Sequence, residues 1–310
     1  MIGVPETFVR TTVDREGAAG AAWIAELPGL VDELLERWAC APDGEVTHGG
    51  VGLIVPVRRQ DGADAVLKVS FPHPGNVHEP DAFAAWDGRG AVRLHARDDE
   101  RFAMLLERAW PQTLAEAGDE DEIVTVAGRL NRRLAVPAPA GPPELPRLRD
   151  RVDAWERELR TDARELAHTL PDRVLDAALA TVRELGRVQP ETLVHGDLHA
   201  HNILRADREP WLAVDPKGYV GDPAYDGGTL LKSRFLALLE ANDLSKAVHR
   251  ALDLFAEAAE LDRERVGRWA QFHAVEAAFH GRRHGFRVAR GGPRLDWIVR
   301  FADELAELLT

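Results

Sequence analysis

Three oxygen-bearing side chains occur in an order that suits phosphoryl transfer. Asp197 sits within Val194-His195-Gly196-Asp197-Leu198-His199-Ala200-His201-Asn202, the amide of Asn202 follows five residues on, and Asp215 ends the apolar run Leu212-Ala213-Val214. Moving a phosphoryl group to a hydroxyl requires a base or orienter for that hydroxyl and hard oxygen ligands for magnesium beside it. Asp197 suits the first task, Asn202 and Asp215 the second. Any one of them alone reads as a turn residue, because Gly-Asp and His-Asn pairs are ordinary in turns. The ordered set, flanked by short apolar runs, reads as a catalytic constellation. His199 and His201 alternate in the same loop and with Asp197 would suggest zinc. Zinc clusters, however, recruit His at helical or hairpin spacing with a further ligand, and oxygen donors suit Mg2+ better.

A phosphoryl-transfer site also needs cations and amides for the phosphates. Lys68 lies in the apolar run Val66-Leu67-Lys68-Val69, and only four of the 39 basic residues are Lys. A Lys kept where Arg is otherwise preferred suggests a need for a compact ammonium rather than a planar fork. Glu79, ahead of Pro80 in a candidate helix, is the natural acid to hold that ammonium, with Asp81 as the alternative. Upstream, His48-Gly49-Gly50-Val51-Gly52 would let backbone N–H groups approach phosphate closely, and Gly49, Gly50 and Gly52 are the candidates. A plain glycine-rich hairpin would look the same.

These residues carry a resemblance. Protein kinases space the Asp and Asn of the catalytic loop by the same interval and place the metal-binding Asp on the next hairpin. His195-Gly196-Asp197-Leu198-His199 with Asn202-Ile203-Leu204 resembles the loop of the aminoglycoside and choline phosphotransferase superfamily. Asp215-Pro216-Lys217-Gly218 resembles the streptomycin and hydroxyurea phosphotransferase subgroup in particular. The resemblance implies an α+β, two-lobed protein-kinase-like fold: an N-terminal nucleotide-binding lobe over 1–107 with a sheet and helices, and a mainly helical catalytic and substrate-binding lobe over 108–310. It implies ATP and Mg2+ as cofactors and His195 as a brace for the loop. The hinge falls at Met104–Arg108, with the main chain near Leu106 and Arg108 receiving adenine. The acceptor would be a small molecule, streptomycin or hydroxyurea, in an antibiotic-resistance kinase. A metabolic kinase of a sugar, choline or amino alcohol is the enzyme alternative. A nucleotide-binding regulatory pseudokinase comes from another class, and the complete Lys68, Asp197, Asn202, Asp215 set argues against it.

The rest of the chain must position these groups. Its 310 residues, 45% hydrophobic and 29% charged, are enough for two lobes. A net charge of -13 argues against nucleic acid as a partner and is compatible with a cationic substrate. Cys40 stands alone, so the default is a reduced cytoplasm. Neither a signal peptide nor a membrane-spanning run is read, and a monomer or weak dimer is expected. Residues 16–39 read as a helix interrupted at Pro28, followed by strands around 53–58 and 65–69 and a hairpin pairing 91–97 with 101–106. Beyond Pro111 the pattern turns helical, with a stiff proline-rich connection at 137–146 and late helices near 224–241, 244–259, 262–287 and 293–309. Arg282, Arg283, Arg287 and Arg290 form a basic cluster that a solvated helix face explains. Glu276 on the same helix is a candidate for an acceptor cation, by the superfamily's use of acids in this region.

Overall fold

A computed structural model describes residues 2–310 apart from 142–143, 169, 235–236, 239–240 and 285–292. Its contacts gather the chain into two compact units. One comprises Met1–Pro111 together with Ala206–Lys217; the other comprises Gln112–Arg205 with Gly218–Thr310.

The first unit is built on an antiparallel sheet of β1 (Cys40–Pro42), β2 (Thr47–His48), β3 (Gly52–Arg59), β4 (Asp64–Ser70), β5 (Leu94–Asp98) and β6 (Ala103–Glu107). The strand order is β1-β3-β4-β6-β5, and β2 pairs with β3. Leu53, Val55 and Val57 lie opposite Val69, Leu67 and Ala65. The two-residue side-chain period therefore collects these six on one face. There they bury against Leu27, Val31, Leu34 and Leu35 of helix α1 (Glu6–Arg37). Lys68, between Leu67 and Val69, must point to the opposite face. Helix α2 (Glu79–Trp86) follows, with Glu79 in its first turn and Pro80 beside it.

The expected interruption of α1 at Pro28 is not observed. The helix passes through Pro28, starts ten residues earlier than its apolar pattern, and kinks instead at Gly17, with φ 62° and ψ -135°. Its first turns escaped the pattern because, before Gly17, only Phe8 and Thr12 are buried there. The hairpin expected to pair 91–97 with 101–106 forms between Leu94–Asp98 and Ala103–Glu107, with a bulge between Leu94 and Ala96.

Residues 206–217 join the first unit through two devices. Ala213 bridges Ala91, donating its N–H to the Gly90 carbonyl at 2.9 Å. Arg208 forks onto Glu107, with Nε and Nη2 each 2.9 Å from a carboxylate oxygen, and also donates to the Gly88 and Ala91 carbonyls. A bidentate guanidinium–carboxylate pair is among the stronger polar contacts available.

The second unit is mainly helical. Its described helices include Glu120–Leu134, Val152–Glu165, Asp172–Arg187, Tyr225–Ser233, Leu244–Ala259, Arg263–His284 and Pro293–Leu308. A small sheet pairs Thr192–Val194 with Val136–Pro137 on one side and Tyr219–Val220 on the other. Its core holds an aromatic cluster in which Trp155 meets Tyr225, Trp269 and Phe272. Arg282 pairs with Asp303 in a buried bridge of 2.7 Å, and Arg283 pairs with Asp162, so both are committed to structure. Arg287 and Arg290 lie outside the described residues, as do the end of the helix expected at 262–287 and parts of the one expected at 224–241. Among the described residues, no helix is long and apolar enough to cross a membrane.

Candidate active site

In the first unit three side chains expected to act together do meet. Lys68, 5% exposed, lies between two carboxylates: its Nζ is 2.5 Å from Glu79 Oε1 and also bonds Asp215 Oδ1. Burial works against the ammonium, but the two acids outweigh it and raise the Lys68 pKa above its ordinary value. Two acids share one buried cation, and burial pushes Glu79 up to about 7 despite that cation. Lys217, two residues beyond Asp215, also lowers the Glu79 value from a distance. Asp215 itself has a left-handed backbone, φ 57°. A non-glycine residue held there is a strained exception, the kind found at functional sites.

The glycine-rich turn closes over this group. The Gly49 N–H donates to the Gly52 carbonyl at 2.9 Å, and a methyl placed on Gly49 would lie 3.9 Å from Asp215 Oδ2. The N–H groups of Gly50 and Val51 find no partner among the described residues. Gly52 has a separate reason to be glycine: a Cβ there would come 2.8 Å from Ser70 Oγ and 3.3 Å from Lys68 Cε. The Ser70 hydroxyl, buried beside Lys68, has no hydrogen-bond partner. Sequence reading missed Ser70, although its two-residue offset from Lys68 on one strand face was available.

At the expected hinge, Leu106 is buried in β6 opposite Val66 and Leu94. The Arg108 guanidinium is 3.0 Å from Asp43 Oδ2, so its side chain is spoken for within the sheet region.

The second unit holds Asp197 and Asn202. Gly196, φ 80°, allows a turn that a side chain would resist, and it delivers Asp197 just beyond. Buried His195 accepts the Asp197 N–H on Nδ1 at 3.2 Å, which is the expected brace. A second brace comes from Asp226, whose buried carboxylate accepts the N–H groups of His195 at 3.1 Å and Gly196 at 2.9 Å. Burial, helped by nearby Asp197 and opposed by the N–H groups of Leu198, Gly196 and His195, pushes Asp226 up to about 7. Asp222 turns the chain into the following helix by accepting the Ala224 N–H, and it is tied to Arg265 and the Trp269 indole.

Asn202 donates its Nδ2 to the Asp197 carbonyl at 3.1 Å, which leaves its Oδ1 as an acceptor. His199 Nε2 lies 3.9 Å from Asp197 Oδ2. Among the described residues, no group of three or more His, Cys, Asp or Glu converges as a metal site. The donor set nevertheless fits magnesium: a carboxylate and an amide oxygen are hard ligands, and Mg2+ takes one or two such groups with substrate phosphates completing its shell.

A cavity of about 450 Å³ opens in the second unit along the helices Val152–Glu165 and Arg263–His284. Trp155 and Phe272 give it apolar wall, Glu158 and Glu276 give it acid, and Arg157 and the Arg283–Asp162 pair also line it. Burial would raise Glu276, but His273 and Lys232 hold it well below the usual carboxylate range, so it is ionised.

Sequence comparison agrees with this chemistry. A family model described as aminoglycoside/hydroxyurea antibiotic resistance kinase matches residues 37–285. The chain is 38% identical over 280 residues to streptomycin 6-kinase of Streptomyces glaucescens, covering 90% of each protein. It is 35% identical to hydroxyurea phosphotransferase of Kitasatospora aureofaciens, covering 89% of this chain and 79% of that one. Among solved structures, macrolide 2'-phosphotransferase MphH from Brachybacterium faecium aligns with a TM-score of 0.54 at 18% identity, covering 91% of this chain and 98% of that one. At that identity the likeness speaks for the fold alone, and the α+β protein-kinase-like fold expected from the motifs is the one found. The chain therefore belongs to the aminoglycoside/hydroxyurea antibiotic resistance kinase family.

Proposed function

We propose that this protein transfers the γ-phosphoryl group of ATP to a hydroxyl of a cationic small molecule of the streptomycin type, with magnesium. The observation that carries the reading is the buried Lys68 ammonium held between Glu79 and Asp215. Such a point charge suits the α- and β-phosphates, and Glu79 keeps it in place without taking a metal ligand. The unpaired N–H groups of Gly50 and Val51 supply further donors to phosphate, and the main chain near Leu106 and Arg108 receives the base. The first unit is thus the nucleotide-binding part, and the second carries catalysis and the acceptor.

Asp215 and Asn202 would hold Mg2+, which when bound neutralises phosphate charge and fixes phosphate geometry. Asp197 orients the acceptor hydroxyl and takes its proton while the new O–P bond forms. The bond to the ADP oxygen breaks in the same step, leaving ADP and a phosphate monoester. Because that transfer is loose, placing Asp197 matters more than its base strength. His195 and Asp226 do the placing.

The acceptor reading rests on the cavity in the second unit. About 450 Å³ is within the range for small-molecule pockets and exceeds what hydroxyurea, with its handful of atoms, would occupy. The ionised Glu276 and the neighbouring Glu158 favour a cation. The test is to incubate the protein with ATP, Mg2+ and, separately, streptomycin, hydroxyurea, other aminoglycosides and amino alcohols, following phosphate addition by mass. Streptomycin is expected to gain one phosphoryl group. Transfer to hydroxyurea alone would overturn the acceptor reading, and no ATP consumption with any acceptor would overturn the kinase reading.

A further inference from the structure

We infer that the amino-terminal end of helix α1, which precedes the segment matched by the family model, is a brace for the phosphate-covering turn, with Arg15 and His48 as its positioning residues. This rests on the reading of residues 49–52 as that turn.

Three contacts tie the helix to the turn. Arg15 Nη1 donates to the Gly50 carbonyl at 2.8 Å, and Glu16 at 2.5 Å steadies the same guanidinium. His48 spans the other side: its Nδ1 is 3.0 Å from the Gly49 carbonyl and its Nε2 is 2.9 Å from Thr7 Oγ1. A carbonyl only accepts, so the neutral ring carries its proton on Nδ1 and accepts a hydrogen bond from the Thr7 hydroxyl on Nε2. Phe8, fully buried, packs its ring 5.2 Å from that of His48.

The consequence follows from peptide geometry. The Gly50 carbonyl and the Val51 N–H belong to one planar trans unit and point to opposite sides. Holding the carbonyl on Arg15 therefore turns the Val51 N–H away from the helix, and that N–H is one of the two left without a partner. Gly50 on its amino-terminal side would otherwise leave this peptide with more than one accessible orientation. Arg15 thus presets a donor for phosphate rather than touching the nucleotide. The Gly17 kink lets the helix end stay docked on the turn while the rest of α1 packs the sheet.

The test measures the dissociation constant of MgATP and the KM for ATP in Arg15→Ala and Arg15→Lys, with Lys68→Met as the control. Arg15→Ala is expected to raise both by about three- to tenfold, in line with one preorganised charge-assisted bond. The acceptor KM and the melting temperature of the nucleotide-free protein should stay as in the wild type, and Arg15→Lys should recover most of the affinity. A merely structural Arg15 would move the melting temperature and leave the ATP terms alone. If Lys68→Met weakens ATP and Arg15→Ala does not, the brace is wrong. If neither weakens ATP, the nucleotide reading itself fails and takes the brace with it.

Discussion

Asp226→Asn changes a single atom and puts the placement of the catalytic loop to the test. The native carboxylate takes the Gly196 N–H on one oxygen and the His195 N–H on the other, the Leu198 N–H bonds it as well, and Asp226 and its three partners are buried. Asparagine keeps one oxygen and turns an NH2 group toward the second donor. At least one buried N–H is then left unsatisfied, a loss of about 1–3 kcal/mol. Relief from burying a charge offsets part of this, so the net loss of unfolding free energy should be nearer about 1 kcal/mol. Catalysis should suffer more than stability. Gly196 and Asp197 are adjacent, and a displacement of about 1 Å at a reacting group can lower a rate by about 10²-fold. With streptomycin as acceptor and saturating ATP, kcat should fall by about 10- to 100-fold while the KM for ATP holds, because Lys68 and Asp215 are untouched. An ADP-release assay under conditions where denaturant titration shows the variant fully folded separates the two effects. A kcat within about twofold of wild type would refute the claim that Asp226 places Asp197, since placement is asked to supply at least a factor of ten.

Asp197→Ala should lower turnover by about 10³-fold or more while MgATP still binds, as measured calorimetrically; retained turnover would remove Asp197 from the mechanism. Gly52→Ala puts a methyl 2.8 Å from Ser70 Oγ and 3.3 Å from Lys68 Cε, which should destabilise the fold by about 1–3 kcal/mol and weaken ATP binding. An unchanged melting temperature and ATP affinity would show that the strand end yields without strain. The raised pKa of Asp226, to about 7, sets a pH dependence. The folded state holds a proton that the unfolded carboxyl, with its ordinary value of 3.8, has released. This group's contribution is therefore full below about pH 4 and is lost as pH rises through about 7. Denaturant titrations between about pH 5 and pH 8 should show a shallower fall in Asp226→Asn than in wild type, and equal slopes would contradict the assignment.

The groups that read clearly from the sequence were those whose chemistry is local. Asp197 and Asn202 share one loop, and Lys68 stood out because the chain uses Arg almost everywhere else. The two-residue strand period puts Lys68 on the face opposite Leu67 and Val69. What stayed hidden depends on partners brought together only by folding. Arg15 reaches Gly50 across 35 residues, and Arg208 reaches Glu107 across 101, and neither leaves a spacing signal. The early turns of α1 were missed because Phe8 alone of their apolar residues is buried in the core, and the other contacts described are to a loop. From the sequence Gly52 reads as a phosphate or hairpin glycine, whereas a Cβ there would meet Ser70 and the Lys68 stem. Backbone approach to a ligand and backbone approach to a side chain ask for the same residue.

The attachment of residues 206–217 through Arg208 and Ala213 bears on how this protein can be divided. The chain crosses from one unit to the other three times, after Pro111, after Arg205 and after Lys217. A fragment stopped at 111 would retain the whole sheet yet lack Asp215, leaving Lys68 with one counter-ion, and Glu107 would lose its guanidinium partner. No single cut yields an intact half. A split reporter or a domain swap would have to carry this twelve-residue strip along with the amino-terminal piece.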